Sequence, residues 1–288
     1  MKDRIFDCFT FFNELDLLEF RLRLLSGVVD KFVICEANLT FSGNPKPYNF
    51  EENRSRFKEW EDKIIYLPVE LSKEGLPFEK VHTYSPNNGP FLLEYQQRNA
   101  LLYAAEYMND GDLVLMGDID EMPNPEAIRH LCQSGLIING INNVVAFPML
   151  FHYYFMNCQM EGYDRMWNGT VACFADYFKE VGPQYLRDHR NHHTRLPVLA
   201  GYHFSYLGGL DKVRTKIQSF AHTEFNRPDI ISEENITNAI NNGEDVFGRF
   251  GISYKVVPVE TYPEPFKSLM LDYPQFIKIK RELTLPDF

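Results

Sequence analysis

Asp112-Leu-Val-Leu-Met-Gly-Asp-Ile-Asp-Glu-Met-Pro123 is the stretch on which the reading of this chain turns. Leu113 to Met116 form a continuous apolar run behind the turn Asn109-Asp-Gly-Asp112, the pattern of a central strand covered on both faces. Asp118, Asp120 and Glu121 then arrive at its C-terminal end, the end at which open α/β sheets bind ligands. Alternation along extended chain predicts Asp118 and Asp120 on one side, roughly 7 Å apart at Cα. That spacing suits two carboxylates sharing a divalent cation, or dividing a cation and a sugar hydroxyl between them. Three acids so close repel one another unless a cation or a basic partner stands among them. A hard metal, Mn²⁺ or Mg²⁺, relieves the repulsion and commonly takes a phosphate as a further ligand, which is the logic of a nucleotide-diphosphate site. The competing reading is a solvated acidic turn that ends at Pro123, before a helix beginning at Pro125.

Working outward toward the N-terminus, Arg4 to Thr10 and Asp30 to Glu36 read as strands flanking a helix on which Leu15, Leu18, Leu22 and Leu25 recur at helical spacing. Such a β-α-β unit predicts a parallel sheet. Asp7, Asn13, Glu36 and Asn38 leave these strands at the same sheet edge as the acidic stretch. Lys63 to Pro68 is a third strand, and Phe91 to Met108 a long helix carrying Arg98 and Asn99. Arg98 reads either as part of a solvated face or as a hand reaching over the sheet. The Pro/Gly-rich loop from Thr40 to Asn53 offers Lys46, and Arg54 just after it, to a phosphate or to solvent.

Toward the C-terminus the pattern is less regular and reads as mixed or antiparallel. Phe151-His-Tyr-Tyr-Phe-Met-Asn157, Tyr163 and Trp167 are either core or a platform for sugar faces, with Glu161 and Asp164 beside them. Gln184 to Pro197 gathers Arg187, Arg190, Arg195 and three histidines, as a lid over a pyrophosphate or as an exposed loop. His203, in Gly201-Tyr-His-Phe-Ser205, is a remote metal ligand or a hydrogen-bonded core histidine. Lys212, Arg214 and Lys216 lie on the helix that follows, and His222 and Glu224 come after its end.

The bulk numbers narrow the classes. A chain of 288 residues with 44% hydrophobic content supports one large core. A formal charge of −11 argues against a nucleic-acid or anionic-membrane surface, so any phosphate must be met locally. Five cysteines, odd in number and without CxxC spacing, read as buried free thiols of a reducing compartment. No stretch has the roughly 20 apolar residues of a membrane span, and no signal-peptide core follows Met1; the expectation is a soluble, cytoplasmic chain without a transmembrane segment. P-loop, GxGxxG and HExxH motifs are all missing from the sequence.

Five blocks in order carry a family resemblance: Asp7-Cys-Phe9 with Asn13-Glu14; Cys35-Glu-Ala-Asn38 with Phe41-Ser-Gly43; Gly117-Asp-Ile-Asp-Glu-Met-Pro123; Gly201-Tyr-His-Phe-Ser205; and Gly243-Glu-Asp-Val-Phe247. Together they resemble glycosyltransferase family 17, over about residues 4 to 265. The resemblance implies an α/β fold of GT-A (Rossmann-like) type, with a mostly parallel central sheet flanked by helices and a mixed or antiparallel acceptor-side half. It implies one catalytic domain over residues 1–265, divided into a nucleotide-binding half (1–123) and an acceptor-side half (124–265), with 266–288 as a C-terminal tail.

It further implies an inverting transferase that moves a sugar, GlcNAc in the best-known members, from a UDP-sugar to a glycan, glycolipid or glycoprotein acceptor, with a divalent cation. By that likeness Asp120, with Asp118 and His203, would hold the metal. Asp118 is alternatively placed on the donor ribose, and Asp7 and Glu36 near the nucleoside. Inversion needs a general base on the acceptor side; Glu224 is the first candidate, with Asp164, Asp211 and Glu161 as alternatives. A sugar nucleotidylyltransferase would need a Gly/Arg/Lys-rich loop after the first strand, where Thr10-Phe-Phe-Asn13 stands instead. A non-catalytic carbohydrate-binding protein would have little reason to keep three clustered acids.

Overall fold

The computed structural model describes residues 3–137, 143–162 and 165–279. Its first half is a β-α-β progression: β1 (Ile5–Phe11), α1 (Leu15–Leu25), β2 (Lys31–Ala37), the single turn α2 (Asn49–Glu52), β3 (Ile64–Val69), α3 (Gly89–Ala100) and β4 (Leu113–Asp118). These strands are parallel and lie in the order β3-β2-β1-β4. β5 (Glu121–Pro123) and α4 (Pro125–Ser134) follow the acidic turn. The second half adds β6 (Val145–Tyr153), β7 (Cys158–Glu161), β8 (Met166–Phe174), α5 (Ala175–Val181), α6 (Pro183–Asp188), β9 (Thr194–Arg195), β10 (Gly201–Ser205), α7 (Gly209–Ser219), α8 (Pro228–Ile231), α9 (Glu233–Asn242), β11 (Ser253–Val256) and α10 (Phe266–Leu271).

β8 joins the two halves by pairing antiparallel with both β4 and β6. β10 runs parallel to β6 and antiparallel to β5. The sheet as a whole is therefore mixed: β1 through β4 pair only parallel with one another, and the second half combines parallel pairs of β6 with β9 and β10 and antiparallel pairs of β6 with β7 and β8.

Alternation in β4 separates two cores. Leu113 and Leu115 face Phe9, Phe32, Ile34 and α1, whereas Val114 and Met116 face Phe6, Cys8, Val33 and residues of α3. Each fully buried side chain of this kind contributes roughly 1.5–3 kcal/mol. A third cluster, around Tyr153, Tyr154 and Tyr254, packs β6, β7 and β11 against α7 and α9.

The structure departs from the sequence reading in two further places. The helix expected over 91–108 is α3 followed by a 3₁₀ segment, Leu101–Tyr107. The tail expected from residue 266 begins as core: Phe266 and Met270 are fully buried, and Phe266 and Tyr273 lie 6.2 and 5.6 Å from the Phe20 ring. A proline-rich bend at residues 263–265 turns the chain back under α1, where these apolar side chains find cover.

Arg21 holds the first three elements to the acidic turn. It lies on the buried face of α1 with no exposed surface. Its Nε and Nη2 donate to the two oxygens of Asp7, each at 2.7 Å, a fork-on-fork pairing. Its Nη1 donates to the carbonyls of Asp118, Ile119 and Glu121 at 3.1, 3.3 and 2.6 Å. One buried cation thus fixes the turn's backbone from beneath. Replacing Arg21 with Met is expected to cost roughly 3–5 kcal/mol in urea unfolding, because Asp7 is left as an uncompensated buried charge, and adding Asp7→Leu to that variant should recover much of the loss.

Candidate active site

β4 ends at Asp118, Ile119 and Asp120 turn, and Glu121 opens β5 opposite His203 of β10. The turn breaks the alternation expected of Asp118 and Asp120, and the two carboxylates meet different partners. Asp118 accepts from Arg187 Nη2 at 2.6 Å, Arg98 Nη2 at 3.3 Å and Thr10 Oγ1 at 3.2 Å. Burial alone would raise its pKa; the guanidiniums of Arg187 and Arg98 instead hold it well below the usual carboxylate range, against an upward push from Asp120. Asp120 lies 2.6 Å from Lys216 Nζ and 3.2 Å from His203 Nε2, and accepts from Ser205 Oγ at 3.3 Å. It is likewise held low, Lys216 and then His203 overcoming the effect of burial.

Glu121 is fully buried and faces away from solvent. Its Oε1 accepts from Trp167 Nε1 and Arg187 Nη1, each at 2.7 Å, and its Oε2 accepts from the Asp118 amide at 3.0 Å. Two glycines make room for this carboxylate. A Cβ on Gly117 would stand 2.7 Å from Glu121 Oε2, and one on Gly169 would stand 2.6 Å from its Cδ. Arg187 therefore bridges Asp118 and Glu121, so the acidic stretch is neutralised by side chains brought from α3, α6 and α7.

Above the turn lies a cavity of about 370 Å³, with Phe12 and Phe41 at the edge of the parallel strands and Trp167, His203, Lys216 and His222 from the second half. Trp167 stacks on His203 at 5.4 Å. A second cavity of about 510 Å³, lined by Asn13, Asp16, Lys212 and Gln275, shares Asp120 and Lys216 with the first. The Asp120–Lys216 pair thus stands at the junction of the two.

Of the residues singled out from sequence, Asp118, Asp120 and His203 come together at the first cavity. Asp7 lies beneath the turn, both oxygens engaged by Arg21, and does not line either cavity. Glu36 is fully buried and ties down the Thr40–Asn53 loop: it accepts from Lys46 Nζ at 3.0 Å, the Asn49 and Phe50 amides at 2.5 and 3.0 Å, and Tyr66 Oη at 3.1 Å. These engagements give Asp7 and Glu36 structural work where the sequence reading placed a nucleoside. Glu224 lies behind His222, whose Nδ1 is 2.8 Å from its Oε1. Asp164 and Tyr163 fall outside the described residues. Asp211 is exposed and pairs with Arg214, and Glu161 pairs with Lys255.

Tyr154 is core, whereas Tyr153, buried and stacked on Tyr254 at 4.6 Å, lines the first cavity together with Phe151 and Trp167. Arg98 and Arg187, left open between surface and site, both reach Asp118. The sequence reading did not single out Arg21 or Ser205, and it left Lys216 as one of three cations on a helix. An arginine inside the apolar stripe of α1, three residues after Leu18 and four before Leu25, was the available signal for Arg21.

Among the described residues no three His, Cys, Asp or Glu side chains form a metal cluster. Asp120 and His203 nevertheless offer an oxygen and an imidazole nitrogen 3.2 Å apart, and His203 Nδ1 is buried without a partner. A hard divalent ion held beside a diphosphate needs only one or two protein ligands, so the pair fits such an ion, with Lys216 yielding its place on Asp120.

Sheet and cleft together define an α/β protein with an acid-and-cation cleft at the C-terminal edge of its parallel strands. The chain belongs to glycosyltransferase family 17, whose model matches residues 1–278. It is 24% identical over 212 residues to the human β-1,4-mannosyl-glycoprotein 4-β-N-acetylglucosaminyltransferase, the match covering 69% of this chain and 36% of that protein. The rat protein of the same name gives 24% identity over 212 residues, with 69% and 35% covered. The chain thus spans little more than a third of these relatives. A solved inositol-1-phosphate CTP transferase from T. maritima shares 9% identity over 97% of this chain and 99% of its own, at a TM-score of 0.35. No helix of the described residues is long and apolar enough to cross a membrane.

Both carboxylates of the turn titrate below their unfolded values, so the stability they add is complete above roughly pH 4 and is lost as pH falls through their folded values. In urea titrations Asp118→Asn is expected to be less stable at pH 7 by roughly 1–3 kcal/mol, since Arg98 and Arg187 lose a charged acceptor. Its midpoint should also fall less steeply than wild type between pH 5 and pH 3, a range of about two units around the ordinary carboxylate value.

Proposed function

We propose that the chain transfers a sugar, GlcNAc by likeness to its relatives, from a UDP-sugar to a carbohydrate hydroxyl, with inversion and with a divalent cation at Asp120 and His203. The observation that carries this reading is the convergence of Asp118, Asp120 and His203 on one cavity at the C-terminal edge of the parallel strands. Family membership supports glycosyl transfer, and the names of the relatives support GlcNAc as the sugar and a mannosyl glycoprotein as the acceptor type; a glycan or glycolipid offers the same hydroxyl chemistry. The β3-β2-β1-β4 parallel half, with the acidic turn after β4, is in keeping with a GT-A-type donor domain.

In this reading Phe12 and Phe41 provide apolar faces for the base, and the acidic turn faces the diphosphate. A bound Mn²⁺ or Mg²⁺ would supply positive charge for the leaving diphosphate. Among the lysines and arginines at the cavity Lys216 and Arg249 keep appreciable exposure, 27% and 43%, and they add charge of the same sign. Arg249 is oriented by Asp245, which accepts from its Nε at 3.0 Å and its Nη2 at 2.7 Å. Arg98 and Arg187 act one step back: they fix Asp118 in a single rotamer, so the anionic edge of the site costs little reorganisation when a donor arrives.

Calorimetric titration with UDP, with and without Mn²⁺, tests the reading. Wild type should bind UDP at least about tenfold more tightly with the metal, and Asp120→Ala should lose that difference. UDP binding indifferent to both the metal and Asp120 would remove the donor-site assignment.

A further inference from the structure

His222 and Glu224 form a second polar unit at the first cavity. His222 lines it, with 44% of its side chain exposed, while Glu224 stands behind with 7%. An ionised carboxylate only accepts, so the 2.8 Å contact places the hydrogen on His222 Nδ1 and leaves Nε2 as the acceptor. The ring is held on several sides. Phe91 packs edge-on at 5.0 Å, Tyr84 lies at 5.7 Å, and Phe220 and Phe225 lie at 5.7 and 6.1 Å. Among these neighbours the titratable groups are Glu224 and Tyr84, and none is cationic.

Glu224 is unusual in another respect. Its Oε2 is buried with no hydrogen-bond partner, an arrangement that costs stability for a charged group. A carboxylate kept half-satisfied behind an imidazole stabilises positive charge on that ring, which is the use made of the third member in nucleophile–histidine–carboxylate constellations. Asp118, Asp120 and Glu121, by contrast, have both oxygens engaged.

Resting on the transferase reading above, we infer that His222 is the general base of the reaction and that Glu224, the first candidate base in the sequence, is its positioning residue. His222 Nε2 takes the proton of the acceptor hydroxyl as that oxygen bonds to the anomeric carbon. The bond from the anomeric carbon to the diphosphate oxygen breaks with its electron pair going to the leaving UDP. The imidazolium rests against Glu224 and releases its proton to water once the glycoside has left. Atoms and charge balance without a further reactant.

The test follows UDP release from UDP-GlcNAc with Mn²⁺, using methyl β-mannoside or water as acceptor. His222→Ala is expected to lower kcat about 100-fold or more, with the donor KM held within about threefold, and added imidazole should restore part of the rate. Glu224→Gln should lower kcat with the donor KM unchanged and with UDP still titrating to full calorimetric stoichiometry, which excludes a loss of folding, and Glu224→Asp should recover part of the rate. A His222→Ala enzyme with wild-type kcat overturns the assignment. So does a loss that imidazole leaves untouched and that accompanies lost UDP affinity, which would make His222 a donor contact. If wild type binds UDP but turns over with neither acceptor, the base assignment falls and the donor site stands. If wild type does not bind UDP, the transferase reading falls and takes the assignment with it.

Discussion

Arg21 is a cation with no access to water, and the placement of the acidic turn depends on how its charge is met. Asp7 on β1 neutralises it in a two-bond fork, and the remaining nitrogen gathers three carbonyls of the turn after β4. The guanidinium also lies 4.5 Å over the Phe9 ring. The Arg21–Asp7 unit is therefore less a source of net stability than a device for geometry, because an apolar pair of similar volume could fill the space but could not hold three carbonyls. Breaking it would leave both a buried charge and a free turn.

With the backbone fixed from below, the side chains above can be set individually. Glu121 enters a pocket that two glycines leave open and pins the Asp118 amide, while Arg187 spans Glu121 and Asp118. The antiparallel register of β5 with β10 then sets His203 beside Asp120 and Ser205 within reach of it. None of these groups relies on a loop to hold it. Each sits on, or directly at the end of, a strand or helix, the arrangement that keeps a site preformed.

This also explains which parts of the site could be read from the chain and which could not. The apolar run of β4 and the acids behind it are contiguous, so their pattern is complete within a dozen residues. The β-α-β progression is legible for the same reason. The partners that decide the roles of the acids are distant: Arg98 is 20 positions from Asp118, Arg187 is 69, and Lys216 is 96 from Asp120. Sequence spacing carries no trace of such pairings. Asp7 and Glu36 stand out as strand-borne carboxylates, but their partners, Arg21 for the one and Lys46, Tyr66 and two loop amides for the other, leave no local mark in the sequence. The mixed second half was legible only in outline, since β10 joins β6 and β5 through contacts that no local periodicity records.

Two carboxylates separated by one residue thus acquire different chemical standing from their surroundings alone. Asp118 is held by two arginines whose planar forks are oriented in turn by Glu94, Gln184 and Glu121. Arg98 and Arg187 are only 3% and 12% exposed, and neither can leave without stranding a buried charge. Asp120 is held by a lysine, a single ammonium on a flexible stem, 27% exposed and standing where two cavities meet. A lysine in that position can swing toward solvent at the cost of its hydrogen bonds to Asp120 and Ser205, whereas a guanidinium fixed at both ends cannot. Asp118 is therefore part of the frame of the cleft, and of the two acids Asp120 has the more readily exchanged partner.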